Sequence, residues 1–408
     1  MVILSILLSA IIVIISWQDI PYNSTDSHWY IQLAQGQNDE VVKPFSYRVL
    51  HPYLVGTVSR LFGLSLDTSF LIIGVISLLV LCVTTTLSII QITPKPLFVI
   101  LLLFSCFLYY MFRDYYLPDL FHAALLSIFF FLLITDKLWF ALVILPFLQI
   151  TRESTILLSI ITILVSFYKR KFKFAFVALL VIVFGIIISS FYGNLGQPNI
   201  HDANTLIYAG LKVFYNFAKN ILGVVLWTDT LASQPGLFPA DPLFTFKLPE
   251  WLPAGSMEMA GIYSFDPIFP ISTFVLLLTL FGLAPVFLML AIIQKKKNIL
   301  YDSPAWVLIL VVYGLIAFLL GPMLGASVQR LIGYGWPLFW IGFPYIMDNY
   351  YKFTTGEQIF LYILSLAICW IPYILGIFSF SILLSTLLLA IVILIYYFVI
   401  KRAKNAIA

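Results

Sequence analysis

Long apolar runs, separated by short polar breaks, dominate the pattern of hydrophobic and polar positions along the chain. A helix crosses a hydrocarbon core about 30 Å thick with roughly 20 apolar residues, because its backbone amides bond within the helix. The runs therefore predict an all-α polytopic membrane protein with about 12 transmembrane helices, within a range of about 11–13. The predicted spans are residues 2–17, 65–91, 97–112, 120–135, 138–150, 154–168, 174–192, 268–294, 304–324, 331–347, 359–373 and 375–400.

Composition supports this class of protein and excludes others. Hydrophobic residues make up 62% of the 408 positions and charged residues 10%, against roughly 45–50% and 25% in soluble domains. The net charge is +4, and the basic residues form short runs at helix ends, so no nucleic-acid partner is predicted. The cysteines lie inside apolar runs without metal-ligand spacing and are interpreted as core residues: Cys82, Cys106 and Cys369.

The lysines predict the topology. About 12 crossings place both termini on one side, and the loops of that side include the basic runs at residues 169–173 and 295–297. The positive-inside bias makes this side cytoplasmic. The long loops then face outward, where function is expected to concentrate.

The chain is accordingly predicted to have three parts. An N-terminal transmembrane module, residues 1–192, carries catalytic outer loops at 18–64, 113–119 and 151–153. An outer loop at 193–267 contains an interfacial helix within residues 204–231, and a C-terminal transmembrane module covers residues 268–408. The spans at 138–150 and 154–168 are short for full crossings, so we expect a tilted or broken pair.

Arginine is concentrated on the predicted outer side, although the positive-inside bias alone would place it in the cytoplasm. A guanidinium group stays charged and binds phosphate through two parallel hydrogen bonds, whereas lysine suffices for orientation by charge. The alternative is that these side chains cap helices and contact lipid headgroups. Five of the seven arginines lie on this side: Arg48, Arg60, Arg113, Arg152 and Arg330.

The first outer loop predicts two interfacial helices. Ser24 or Thr25 is a helix-capping residue, and Asp26 then heads a short helix that carries His28 and Tyr30. A second helix is expected over residues 47–64, with one apolar face and a polar face formed by Arg48, His51 and Arg60.

Charged residues also lie in the shorter outer loops. Arg113, Asp114 and Asp119 occur within seven residues at a membrane boundary, where ionised groups are costly unless exposed or paired. Asp119 can alternatively be a helix cap. Arg152 and Glu153 interrupt a long apolar stretch and are either functional or neutralise each other.

Arg330 lies among small residues that allow a ligand to approach the backbone closely, and it is the favoured phosphate ligand.

The order of these motifs resembles the GT-C superfamily of membrane glycosyltransferases, which use polyprenyl-phosphate-linked sugars as donors. The resemblance rests on D-S-H-W-Y-I-Q-L-A at 26–34, P-F-S-Y-R-V-L-H-P at 44–52, R-D-Y-Y-L-P-D at 113–119 and T-R-E at 151–153. It covers about the first 170 residues by motif and the remainder by hydropathy. The chain lacks the paired first-loop acids and the large soluble C-terminal domain of the oligosaccharyltransferase branch.

The resemblance implies roles for individual residues. Asp26 matches the essential first-loop acid, which acts as the base in many members, and the second acidic position maps to Asp114 or Asp119. Arg330 and Arg152 match the basic residues that hold the donor phosphate. We therefore expect Asp26 and Asp114 to be catalytic and the donor phosphate to bind Arg330, Arg152 and Arg48. Supporting or acceptor-binding residues are His28, Tyr30, Glu153, Asp119, Arg113 and His51.

The expected function is an inverting hexosyl or pentosyl transfer from a polyprenyl-phosphate donor to a lipid-linked or surface glycan. The implied location is a bacterial inner or plasma membrane, with the site facing the periplasm or exterior. No cofactor is expected; the alternative is a magnesium or manganese ion held by Asp26, Asp114 and Asp119. The rival functions are a transporter or flippase of lipid-linked saccharide and an O-antigen-type polymerase or ligase.

Overall fold

The computed structural model describes residues 1–16, 26–93, 105–197, 205–228, 242–248, 258–286, 288, 303–324, 328–350 and 355–374. Within these ranges the chain is predominantly helical, as predicted, whereas the number of membrane crossings stays a prediction. The helices are α1 (Val2–Ser16), α2 (Ser27–Gln35), α3 (Leu50–Phe62), α4 (Leu66–Ile92), α5 (Cys106–Arg113), α6 (Asp119–Ile134), α7 (Leu138–Thr151), α8 (Thr155–Tyr168), α9 (Phe172–Gly193), α10 (Thr205–Leu222), α11 (Ile268–Phe281), α12 (Ala305–Leu324), α13 (Val328–Gly333), α14 (Phe343–Tyr350) and α15 (Thr355–Ile374).

Three helices of the described chain are long and apolar enough to cross a membrane. They are α4, α9 and α12, and the shorter helices α1, α6, α7 and α8 are also apolar. The molecule is therefore a membrane protein. The two short predicted spans are separate helices, because α7 ends at Thr151 and α8 begins at Thr155; a tilted or broken crossing stays a prediction.

Some predicted spans differ from the structure or extend beyond the residues it describes. Residues 331–347 do not form one helix, because α13 ends at Gly333 and a π-helical turn, Leu338–Gly342, precedes α14. Gly335 and Pro337 lie at this break, where a helix interior is least stable. Of residues 97–112 the structure describes only the part from Ser105 onward, and the predicted span at 375–400 lies outside the described residues.

Both helices predicted for residues 18–64 are present. The second is shorter than predicted, and the face that it buries differs from the predicted apolar face. A 3₁₀ turn, Phe45–Tyr47, follows Pro44, so α3 begins at Leu50. His51 is buried against the rings of Phe70 and Phe121 instead of lying on a polar face. This happens because α3 packs on both α2 and α4. Burial lowers the pKa of His51 to about 3, so the imidazole is neutral at pH 7.

Gly56 allows α3 to approach α2 closely. A β-carbon at this position would overlap the carbonyl oxygen of Ala34, which is a backbone atom and cannot rotate away. We expect Gly56→Ala to lower the free energy of unfolding by about 1–3 kcal/mol, the usual cost of overpacking. A denaturant titration in micelles measures this change. Gly210→Ala is the matched control, because nothing lies within 4 Å of its added carbon; an equal loss in both variants would contradict the close packing.

The predicted interfacial helix at residues 204–231 is too long. α10 ends at Leu222, Gly223 takes a positive φ of 72°, and a strand follows. Three antiparallel strands, β1 (Val224–Thr228), β2 (Phe244–Lys247) and β3 (Met259–Phe265), pair in the order β1-β3-β2. Val224 and Val225 are β-branched and therefore favour a strand. The helical spacing of apolar residues in this segment had concealed that preference.

The interior is apolar and aromatic. α4 packs along α6, α7 packs along α6 and α9, and α12 packs along α10 and α13. Cys82 and Cys369 are buried, as predicted for core residues. These contacts bring the loop between α5 and α6, the junction between α7 and α8, and helix α13 to one place.

Candidate functional site

Arg330, in α13, lies among three carboxylates from separate parts of the chain. Its Nη2 is 3.9 Å from Oδ2 of Asp26, and its Nη1 is 3.4 Å from Oδ2 of Asp114 and 3.6 Å from Oδ2 of Asp119. Asp26 precedes α2, Asp114 follows α5, and Asp119 begins α6. The structure thus brings together the acids of the first two predicted outer loops and the arginine predicted to bind phosphate. We call Arg330 and these carboxylates, with the ion pairs described next, the charge cluster.

The three carboxylates differ in access to solvent. The Asp26 side chain is 37% exposed, that of Asp114 is 18% exposed and that of Asp119 is 4% exposed. Asp26 also makes no side-chain capping bond to α2 among the described residues, although it occupies the cap position. Its carboxylate is therefore the one best placed to meet an incoming molecule.

Arg152 forms a buried ion pair with Asp119. Its guanidinium also lies over the ring of Tyr334, 4.5 Å from the ring centre. Arg152 and Glu153 were expected to be functional or to neutralise each other, but each pairs with a different partner. Asp119 is the first helical residue of α6, and Pro118 takes the cap position proposed for it.

Glu153 pairs with Arg48, from the segment just before α3. The Nε of Arg48 donates to Oε2 of Glu153 at 2.8 Å, and Nη2 contacts Oε1. The Nη1 of Arg48 donates to the hydroxyl of Tyr30 at 2.9 Å, which ties this pair to α2. Burial opposes ionisation of Glu153, but Arg48 outweighs it and lowers the pKa of Glu153 to about 2. The stabilisation from this pair is present above the ordinary carboxyl pKa of 4.5 and is lost as the pH falls through about 2.

The remaining predicted site residues are less closely tied to Arg330. Arg113 is the last residue of α5, next to Asp114. His28, two residues after Asp26, lies beside Trp29, with tilted rings whose centres are 4.0 Å apart. The side chain of His51, in α3, is buried, so the structure does not support a direct contact between His51 and an acceptor.

Lys212, on α10, is a cation near the charge cluster that the sequence did not single out. Its side chain is exposed. Desolvation by nearby protein lowers the pKa of Lys212. The charges of Arg48 and Arg330 lower this pKa further, whereas those of Asp26 and Glu153 raise it. Lys212 is therefore within electrostatic reach of the cluster, and no salt bridge within 4 Å is formed by it among the described residues. The amphipathic pattern of α10 could have pointed to Lys212, because the polar face of such a helix must contact solvent or charged groups.

The charge balance bears on what the cluster can bind. Four carboxylates, those of Asp26, Asp114, Asp119 and Glu153, share three guanidinium groups. A metal ion would have to displace Arg330, because that side chain already lies between the three aspartates. No group of three or more His, Cys, Asp or Glu side chains in the described part of the chain has metal-binding geometry. The residues thus fit a divalent cation poorly.

Comparison with known proteins adds no family to this description. The chain matches no family model, no curated protein and no solved structure.

Proposed function

We propose that the protein is an inverting glycosyltransferase that moves a hexosyl or pentosyl group from a polyprenyl-phosphate donor to a glycan or lipid-linked acceptor. One observation carries this proposal. A partly exposed carboxylate, Asp26, lies within 3.9 Å of a guanidinium group, Arg330, in a membrane protein. Inverting transfer needs these two groups: a base for the acceptor and a cation for the departing phosphate. By topology, the site would face the exterior of a bacterial plasma membrane.

The proposed reaction follows from the chemistry of these side chains. Asp26 accepts the proton of an acceptor hydroxyl, and the hydroxyl oxygen forms a bond to the anomeric carbon of the donor sugar. The bond from that carbon to the phosphate oxygen breaks, and polyprenyl phosphate leaves with its electron pair. Arg330 stabilises the charge that develops on the phosphate, and bidentate hydrogen bonding suits a guanidinium to this task.

In the proposed reaction, binding of the donor phosphate also activates the base. Asp26 makes the longest of the three contacts of Arg330, at 3.9 Å. A phosphate that binds Arg330 competes first with this contact and frees the Asp26 carboxylate to accept a proton. Asp114 and Asp119 keep Arg330 in place meanwhile, and Arg152 keeps Asp119 in place. Arg152 and Arg48 thus support the site instead of facing the donor.

Arg330→Lys is expected to weaken binding of a polyprenyl-phosphate sugar by about 10-fold or more, because an ammonium group cannot form the paired hydrogen bonds. Binding to the protein in nanodiscs, followed by native mass spectrometry, measures this. Arg60→Lys is the matched control, since Arg60 is exposed in the last turn of α3. Unchanged donor affinity in Arg330→Lys would remove Arg330 from the donor site.

Catalysis is proposed to need no metal ion, since Arg330 already lies between the three aspartates that would have to hold one. Exhaustive chelation should leave turnover unchanged. A metal-dependent enzyme would instead become inactive and would recover when magnesium or manganese is added.

The function itself is tested with purified protein in nanodiscs, a panel of polyprenyl-phosphate-linked hexoses and pentoses, and an extract of lipid-linked and surface glycans as acceptor. The expected result is acceptor-dependent release of polyprenyl phosphate, with the product sugar in the opposite anomeric configuration. Movement of an intact lipid-linked saccharide across the bilayer without release would identify a flippase instead.

A further inference from the structure

The three-stranded sheet presents one face that is almost entirely apolar. Residues directly opposite each other in an antiparallel ladder share a face. The register pairs Phe244 with Ile262 and Phe246 with Ala260, and β1 adds the residues opposite the same positions of β3. The apolar sheet face, as we call it, consists of Leu226, Thr228, Phe244, Phe246, Ala260 and Ile262.

The outer part of this face is open to the surroundings. Phe244 is 58% exposed and Phe246 is 47% exposed, and their ring centres are 6.0 Å apart. Ile262 is exposed beside them. The intervening residue Thr245 and the next residue, Lys247, point to the opposite face. A cluster of exposed phenyl rings on one face only is a feature of surfaces that bind another apolar body.

The root of the sheet, where β1 begins and β3 ends, lies next to the end of a helix that is long and apolar enough to cross a membrane. Asn220, near the end of α10, donates from Nδ2 to the carbonyl oxygen of Pro322 at 2.6 Å. Pro322 is in the last turn of the membrane-spanning helix α12. The sheet begins at Val224, four residues after Asn220, and the amide of Asp266, just after β3, donates to the carbonyl of Gly223 at 2.7 Å. The start of β1 and the end of β3 are thereby held together next to the end of α12.

Apolar exposure continues from this root to the phenyl rings. Ile221 and Leu222, at the end of α10, are exposed, and Phe265, at the end of β3, is 66% exposed. With roughly 3.3 Å per strand residue, the rings lie on the order of 10–17 Å along the sheet from Phe265. If the sheet lies along the membrane, all of these exposed apolar side chains can contact lipid. If it projects into water, all of them are hydrated.

We propose that the apolar sheet face inserts into the adjacent leaflet of the bilayer, at the boundary between headgroups and acyl chains. Apolar side chains of interfacial elements reach about 5–10 Å into this boundary while the opposite face stays at the polar side. Thr245 and Lys247 then face headgroups and water. This role is independent of the proposed glycosyl transfer.

The proposal is tested by attaching a nitroxide at single introduced cysteines in the full chain in lipid nanodiscs. Phe244→Cys and Phe246→Cys probe the apolar sheet face, and Thr245→Cys is the matched control on the same strand. The unmodified chain, labelled in parallel, corrects for the native cysteines. Spin relaxation by oxygen, which enters lipid, is compared with relaxation by a nickel chelate, which stays in water.

The expected oxygen-to-nickel ratio is several times higher at positions 244 and 246 than at position 245. Equal ratios at the three positions would place the sheet in water and overturn the proposal. Low relaxation by both reagents at 244 and 246 would also overturn it, because protein and not lipid would then cover the face. The two phenylalanine positions are independent, so one variant that fails to fold leaves the other to decide.

Discussion

Asp26→Asn is expected to lower turnover by at least about 100-fold while leaving binding of a polyprenyl-phosphate sugar almost unchanged. Asparagine has the shape of aspartate but cannot accept the acceptor's proton. The structure strengthens this test, because the Asp26 side chain makes no capping bond to α2 in the described part of the chain. The substitution therefore should not unfold that helix. Single-turnover transfer and donor binding in nanodiscs measure the two quantities separately.

Asp39→Asn is the matched control for this prediction. Asp39 is exposed in a 3₁₀ turn, Asn38–Glu40, just after α2, and lies outside the charge cluster. Full activity in Asp39→Asn together with lost activity in Asp26→Asn assigns the effect to the position and not to the loss of one negative charge. Retained turnover in Asp26→Asn would exclude it as the base.

The second large effect is expected for stability. Arg152→Leu should lower the free energy of unfolding by about 3 kcal/mol, because it leaves Asp119 without the partner of a buried ion pair. This is near the low end of the usual range of about 3–5 kcal/mol. The reason is that Arg330, 3.6 Å from Asp119, still compensates part of the charge. Denaturant titration in mixed micelles measures the loss.

The double variant Arg152→Leu with Asp119→Leu should regain most of that stability, since no buried charge remains unpaired. Arg60→Leu, at an exposed position, should change stability by no more than about 0.5 kcal/mol. A double variant as unstable as Arg152→Leu alone would show that packing against Tyr334, not charge, is what Arg152 provides.

The sequence was sufficient to predict the helical membrane class and the helix headed by Asp26. Apolar runs predict helices because the period and the length are local properties of the chain. The sequence also pointed to Asp26, Asp114 and Arg330 from the order of charged residues on the predicted outer side, and the side chains of these residues do meet. Their catalytic role stays a prediction.

Ion-pair partners could not be predicted, because they depend on how helices pack. Arg152 pairs with Asp119, 33 residues away, and Glu153 pairs with Arg48, 105 residues away. From the sequence, mutual neutralisation of the adjacent Arg152 and Glu153 was one of two interpretations, and the structure shows a different partner for each. The burial of His51 has the same cause, since α3 packs against several helices.

Mass spectrometry of lipid-linked and surface glycans in cells tests whether the protein transfers a sugar from a lipid-linked donor. Three strains are compared: one with the wild-type gene, one without the gene and one with Asp26→Asn. We predict that the last two lack the same sugar in the same glycan and accumulate its polyprenyl-phosphate donor. Identical glycans and donor levels in all three strains would contradict sugar transfer by this protein.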